Sequence, residues 1–180
     1  MMPTLNNPSR IVEKFLRPGE WWVGDEHTRI RTILGSCVAV TLWHPHWRIG
    51  GMCHYMLPGR VRDAMEQEDG RFGDEALELL VKEMWMARSK PQEYEAKLFG
   101  GGHMFRQAFC HDERCAAQVS ERNAAAGHEL MQRHGFVVKA EQLGGYGHRQ
   151  VMFDIGSGNV WVKRTQLPEA AHSSIAIHVK

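Results

Sequence analysis

Thr28-Arg29-Ile30-Arg31-Thr32-Ile33-Leu34-Gly35-Ser36-Cys37-Val38-Ala39-Val40-Thr41-Leu42-Trp43 carries the architecture of this chain. Ile30, Thr32 and Leu34 alternate onto one face, the period-2 signature of a half-buried strand. Gly35-Ser36 breaks the run, and the β-branched stretch Val38–Trp43 reads as the next strand. A thiol, Cys37, therefore sits on a small-residue turn between two strands. His44-Pro45-His46 makes another turn, and Arg48–Met56, carrying His54, reads as a further strand closed by Pro58-Gly59.

Working outward, Pro18-Gly19 is a turn signal, and Glu20–Val23 reads as a strand ahead of the central run. Residues 1–17 read as a flexible leader interrupted by Pro3, Asn6, Asn7 and Pro8, with one or two helical turns over Ile11–Leu16. Beyond the charged loop Arg60–Gly70, Ala76, Leu77, Leu80, Val81 and Met84 recur at helical spacing and predict a helix from Gly73 to Arg88. Glu95–Phe99 reads as a strand running into Gly100-Gly101-Gly102. A second helix is predicted over Ser120–His134, with Ser120 as N-cap and Gly135 as C′ residue. Phe136–Ala140 follows as a strand. Gln150–Asp154 and Asn159–Lys163 read as a hairpin across a Gly-bearing connection. The tail, 165–180, holds one alternating run, Ser174–Val179, suited to an edge strand. Short strands that do not alternate regularly with helices argue against a doubly wound parallel sheet. They predict an α+β fold: a single layered domain over 18–164, with β-sheets packed against two main helices.

Composition narrows the function classes. The chain has 180 residues, 43% of them apolar and 24% charged, with 22 basic against 21 acidic. That balance lacks the basic field of a nucleic-acid binder. No apolar run reaches the ~20 residues that span a bilayer, and the polar, Pro- and Asn-containing start does not read as a signal peptide. A cytoplasmic protein with no membrane insertion is expected. The four cysteines, Cys37, Cys53, Cys110 and Cys115, form no C-x-x-C pair and are expected to be reduced.

Cys37 and His54 lie on neighbouring strands. A thiol beside an imidazole can become a nucleophile: the imidazole lowers the thiol pKa, holds the thiolate as an ion pair and later protonates a leaving group. Spacing alone leaves two readings open, because a buried cysteine is commonly a small core hydrophobe and a histidine in an apolar strand a satisfied core residue. Cys53 should face the opposite side of the strand from His54 and serve packing. The groupings Cys110-His111 with Cys115, and His44 with His46, lack zinc-site spacing and read as surface histidines, so no metal is expected. Gly100-Gly101-Gly102 has no P-loop lysine partner and reads as a tight strand-to-loop turn. Trp21, Trp22, Trp43 and Trp47 fall near the strands of interest, where one can line a groove for a helical substrate.

Leu34-Gly35-Ser36-Cys37-Val38-Ala39-Val40 and Gly51-Met52-Cys53-His54-Tyr55-Met56-Leu57-Pro58 resemble the two signature segments of CheD, the chemoreceptor glutamine deamidase family. Pro18-Gly19-Glu20 with Val23, Phe99–Phe105, Glu121-Arg122-Asn123 and the run from Gly144 through Arg149 to Asp154 resemble further family motifs, in order, over roughly Pro18 to Lys163. Ser120 and His148 stand where the family often has glycine, and Arg106–Gln118 looks longer than usual. The resemblance implies an αββ sandwich. It assigns Cys37 as nucleophile, His54 as base and Thr32 as the hydroxyl residue that completes the catalytic set. The implied reaction is hydrolysis of glutamine side-chain amides on the cytoplasmic helices of methyl-accepting chemotaxis receptors, through a thioester and with no cofactor. It also implies a rival role, a regulatory binding module that partners the phosphatase CheC.

Overall fold

The computed structural model describes residues 11–86, 89–103, 116–165 and 175–179; the side chains of 85, 86, 116, 117 and 175–179 are outside that description. Cys110, His111, Cys115 and most of the Arg106–Gln118 segment lie outside the described residues.

In chain order the elements are β1 (Val12–Leu16), β2 (Trp21–Gly24), β3 (Thr28–Leu34), β4 (Val38–His44), β5 (Ile49–Tyr55), α1 (Gly73–Met86), β6 (Glu95–Gly100), α2 (Ala116–His134), β7 (Val137–Leu143), β8 (His148–Asp154), β9 (Val160–Thr165) and β10 (Ile175–Val179). The strands form two five-stranded sheets. The outer sheet runs β1-β3-β8-β9-β10 and the central sheet β2-β5-β4-β6-β7. Both helices pack on the central sheet. The layers are helices, central sheet and outer sheet: an α+β sandwich in one domain, as expected.

The period-2 pattern explains how one sheet serves two cores. On β4, Val38, Val40 and Leu42 face the helices and join Leu77, Leu80, Val81 and Met84 of α1 in one cluster. Ala39, with Met52 of β5 and Phe99 of β6, faces the outer sheet and meets Ile30, Leu34, Val151 and Phe153. A strand buried on both faces reads as a near-continuous apolar run, as Val38–Leu42 does apart from Thr41.

Three expectations are corrected. Residues 12–16 form a strand, not helical turns: β1 pairs in parallel with β3, Leu16 opposite Thr32, and buries Leu16 while Phe15 points to solvent. A five-residue segment cannot sustain a helix without packing, whereas the edge of β3 offers it a ready ladder. Ser120 does not cap α2, which begins at Ala116. Its hydroxyl donates to the Gly102 carbonyl at 3.0 Å instead. His44 is not a surface histidine: it is buried, stacked on Trp47 at 4.3 Å and edge-on to Tyr94. Gly135 takes the left-handed conformation (φ 74°) expected after a helix. The hairpin is formed, with β8 and β9 antiparallel and Val151 opposite Val162. The alternating run of the tail pairs with β9 as an edge strand.

Truncating Leu80, which is fully buried against the central sheet, should lower the unfolding free energy in urea by about 2–5 kcal/mol for Leu80→Ala. Ile33→Ala, on the solvent face of β3, should stay within about 1 kcal/mol of wild type in the same titration.

Candidate active site

Two of the three sequence-predicted residues, Thr32 and His54, meet between the two sheets, and Cys37 packs against the same inter-sheet cluster. Thr28, Ile30, Thr32 and Leu34 are the inward-facing positions of β3. On β5, Cys53 and Tyr55 join the helix-side cluster while Met52 joins the inter-sheet cluster, so His54 shares the inter-sheet face with Met52. The β4–β5 ladder ends with Val38 opposite Tyr55, and Cys37 directly precedes Val38, beside the end of β5 that carries His54. Cys53 points the other way, as expected, and full burial raises its thiol pKa to about 12.

Thr32 crosses from the outer sheet to the imidazole. Its Oγ1 lies 2.8 Å from His54 Nδ1 and 2.8 Å from the Leu16 carbonyl oxygen. A hydroxyl has one proton, and the carbonyl can only accept, so Thr32 donates to Leu16 and accepts from Nδ1–H. The tautomer follows: Nδ1 carries the proton and Nε2 keeps its lone pair. Nε2 is buried, with no hydrogen-bond partner among the described residues. The backbone of His54 is gripped on both sides by the turn joining β1 to β2. Gly19 N–H donates to the His54 carbonyl at 2.7 Å, and His54 N–H donates to the Glu20 carbonyl at 3.0 Å. A cleft of about 420 Å³, lined by Lys14, Leu16, Gly19, Glu20 and Trp22 among others, borders this turn. Trp22 is exposed there with Lys14 Nζ 3.9 Å from its ring centre, and Trp21 lines the same cleft.

The turn bearing Cys37 is held from behind. Three successive carbonyls each accept one bond: Gly35 from Gly102 N–H at 2.8 Å, Ser36 from Asn123 Nδ2 at 3.0 Å, and Cys37 from Gly101 N–H at 2.8 Å. Gly100, at φ 119°, passes so close to the Cys37 carbonyl that a Cβ there would collide with it. The Gly-rich loop is thus the tight turn anticipated, pressed against the turn that carries Cys37. Arg149, fully buried, donates to Gln142 and Gly144 just beyond that loop, and burial lowers its pKa to about 10. Neither Asn123 nor Arg149 was singled out from the sequence for a role. The Asn123 partners lie far away along the chain, those of Arg149 lie seven and five residues before it across a turn, and only their place in the ordered motif set marks the two residues.

The electrostatics differ from the ion pair expected of a thiol beside an imidazole. Burial raises the Cys37 pKa, against the lowering pull of its own N–H and the Ser36 hydroxyl. Burial pushes the His54 imidazole down to about 4, against the raising influence of the Leu16 carbonyl and Glu20. At neutral pH the resting pair is thiol and neutral imidazole. Desolvation, which penalises any charged form, outweighs the local hydrogen bonds. This arrangement suits an imidazole that takes the thiol proton as the sulfur reacts rather than one that holds a preformed thiolate.

A family model described as CheD chemotactic sensory transduction matches residues 56–164. Curated relatives extend the similarity over most of the chain. "Probable chemoreceptor glutamine deamidase CheD" of Pseudomonas savastanoi pv. phaseolicola is 46% identical over 159 residues, 88% of each chain. "Probable chemoreceptor glutamine deamidase CheD 3" of Dechloromonas aromatica is 44% identical over 168 residues, 93% of this chain and 95% of the relative. A more distant one, "Probable chemoreceptor glutamine deamidase CheD 1" of Leptospira interrogans, is 30% identical over 163 residues and covers 88% of this chain. The family-model match begins after His54, whereas matches covering 88% of the chain take in positions 32–54.

The depressed imidazole has a consequence for stability. Between the folded value near 4 and the unfolded value near 6.5, the unfolded chain binds the extra proton, so stability falls as pH drops through this window. The expected loss is roughly 3 kcal/mol between pH 7 and pH 4. Urea unfolding of wild type against His54→Gln at both pH values isolates it from carboxylate titration: the variant should lose less by about that amount.

Proposed function

The chain belongs to the CheD family, and from that premise we propose that it is a cysteine-dependent amidohydrolase that converts specific glutamine side chains of chemotaxis receptors to glutamate. The observation that carries this reading is the Thr32–His54 hydrogen bond, which leaves Nε2 as a free base on the face that Cys37 shares.

The steps follow from that geometry. Cys37 Sγ attacks the carboxamide carbon while His54 Nε2 takes the thiol proton. The carbonyl π electrons move onto oxygen, and backbone N–H groups at Ser36 and Cys37 stabilise the oxyanion. The tetrahedral intermediate collapses: the C–N bond breaks, the imidazolium protonates the nitrogen, and ammonia leaves a thioester. His54 then removes a proton from water as the water oxygen attacks the thioester. The C–S bond breaks, releasing glutamate and restoring the thiol. Thr32 accepts from Nδ1–H throughout and so stabilises the imidazolium without taking its proton. The route uses no metal and no organic cofactor. The cleft beside Glu20 and Trp22 supports approach of a side chain projecting from a receptor helix.

The uncharged, partly buried resting thiol favours one second reading, a regulatory module whose main task is to bind the phosphatase CheC. Mass spectrometry of a glutamine-bearing receptor fragment separates the two. Wild type should convert glutamine to glutamate with a gain of about one dalton, and Cys37→Ala should not; equal conversion by both, or by neither, removes the catalytic reading. Thr32→Val should lower kcat by roughly 10–100-fold, in the range of weakened acid–base catalysis, and Thr32→Ser should restore most of it.

A further inference from the structure

We propose that Asn123 is a positioning residue whose carboxamide clamps the Ser36–Cys37 peptide so that the Cys37 N–H faces the oxyanion; this rests on the thioester reading above. Asn123 sits on α2 and is fully buried. Both of its Nδ2 protons are used, one on the Ser36 carbonyl at 3.0 Å and one on the Met56 carbonyl at 2.7 Å. These acceptors are 87 and 67 residues away in sequence. One ends the peptide that enters Cys37; the other lies two residues past His54. The Asn123 backbone carbonyl is itself held by the Tyr55 hydroxyl at 2.7 Å.

Peptide planarity turns this clamp into an orienting device. In a trans peptide the C=O and the following N–H point in opposite directions. Pinning the Ser36 oxygen toward α2 therefore aims the Cys37 N–H away from α2. Gly102 N–H does the same for the Gly35 carbonyl and hence for the Ser36 N–H. The two donors differ in their security. The Gly35 carbonyl is held by a backbone donor, Gly102 N–H, whereas the Ser36 carbonyl is held by the replaceable side chain of Asn123. Without it, the Ser36–Cys37 peptide plane is free to rotate and the donor is lost, while the thiol itself stays in place on the turn.

This separates two reactions of the same sulfur. Acylation of Cys37 by p-nitrophenyl acetate builds an oxyanion: sulfur bonds to the carbonyl carbon, His54 takes the thiol proton and p-nitrophenolate leaves. Alkylation by iodoacetamide displaces iodide at a saturated carbon and builds none. In Asn123→Ala and the isosteric Asn123→Asp, acylation of the Cys37 peptide, followed by mass spectrometry, should fall at least tenfold while alkylation stays within twofold of wild type. Deamidation kcat should fall about 100-fold, the scale of one lost oxyanion donor, with KM within threefold. Acylation and alkylation falling together, or neither falling, overturns the clamp. If both substitutions prevent folding, Tyr55→Phe decides: a several-fold loss confined to acylation supports the clamp, and any other pattern overturns it. Because acylation is read with a small ester, the clamp is judged separately from receptor deamidation. A wild type that acylates normally but leaves receptor glutamine intact defeats the deamidase reading alone.

Discussion

A single hydroxyl proton sets the state of the inter-sheet site. Thr32 gives it to the Leu16 carbonyl and therefore has only lone pairs to offer His54, which fixes the proton on Nδ1. That choice depends on β1. Were the Leu16 carbonyl elsewhere, the hydroxyl could turn and donate to Nδ1, and the proton would sit on Nε2. A short parallel edge strand with one buried side chain thus contributes through its backbone oxygen. The turn that follows it also grips the His54 backbone on both sides. Three elements from two sheets meet at one ring, so the sandwich must be closed before the ring has a defined tautomer.

Burial gives the same site its charge state. An ion pair held between two sheets would have to recover the desolvation cost of both charges, which a low-dielectric interior makes large. The neutral thiol and imidazole avoid that cost at rest. In the reaction proposed above, charge develops only with a substrate carbonyl present.

Much of this was readable from alternation. Ile30, Thr32 and Leu34 share a face as the period-2 pattern requires, and Cys53 and His54 part to opposite faces for the same reason. The layered α+β class followed from short strands interleaved irregularly with two amphipathic helices. What could not be read has a common cause, interactions between residues far apart in sequence. Residues 12–16 carry apolar side chains compatible with either a helical turn or a strand, and only the neighbouring ladder of β3 decides. Ser120 has the chemistry of a cap, yet its hydroxyl is taken by Gly102, 18 residues earlier. His44 becomes a core residue because Tyr94, from beyond α1, closes over it. Asn123 reaches across 67 and 87 residues, which leaves no local signature.

The three ties behind the Cys37 turn come from Gly101, Gly102 and Asn123, all synthesised long after the cysteine itself. Domains of this size fold largely as units, and contacts of long sequence separation form only after their loops close. On the ribosome, then, the thiol leaves the exit tunnel as an ordinary cysteine and gains its oriented peptides only when α2 docks. The full set of ties around the sulfur arrives with completion of the domain, so an unfinished chain carries the cysteine without the contacts that orient its turn.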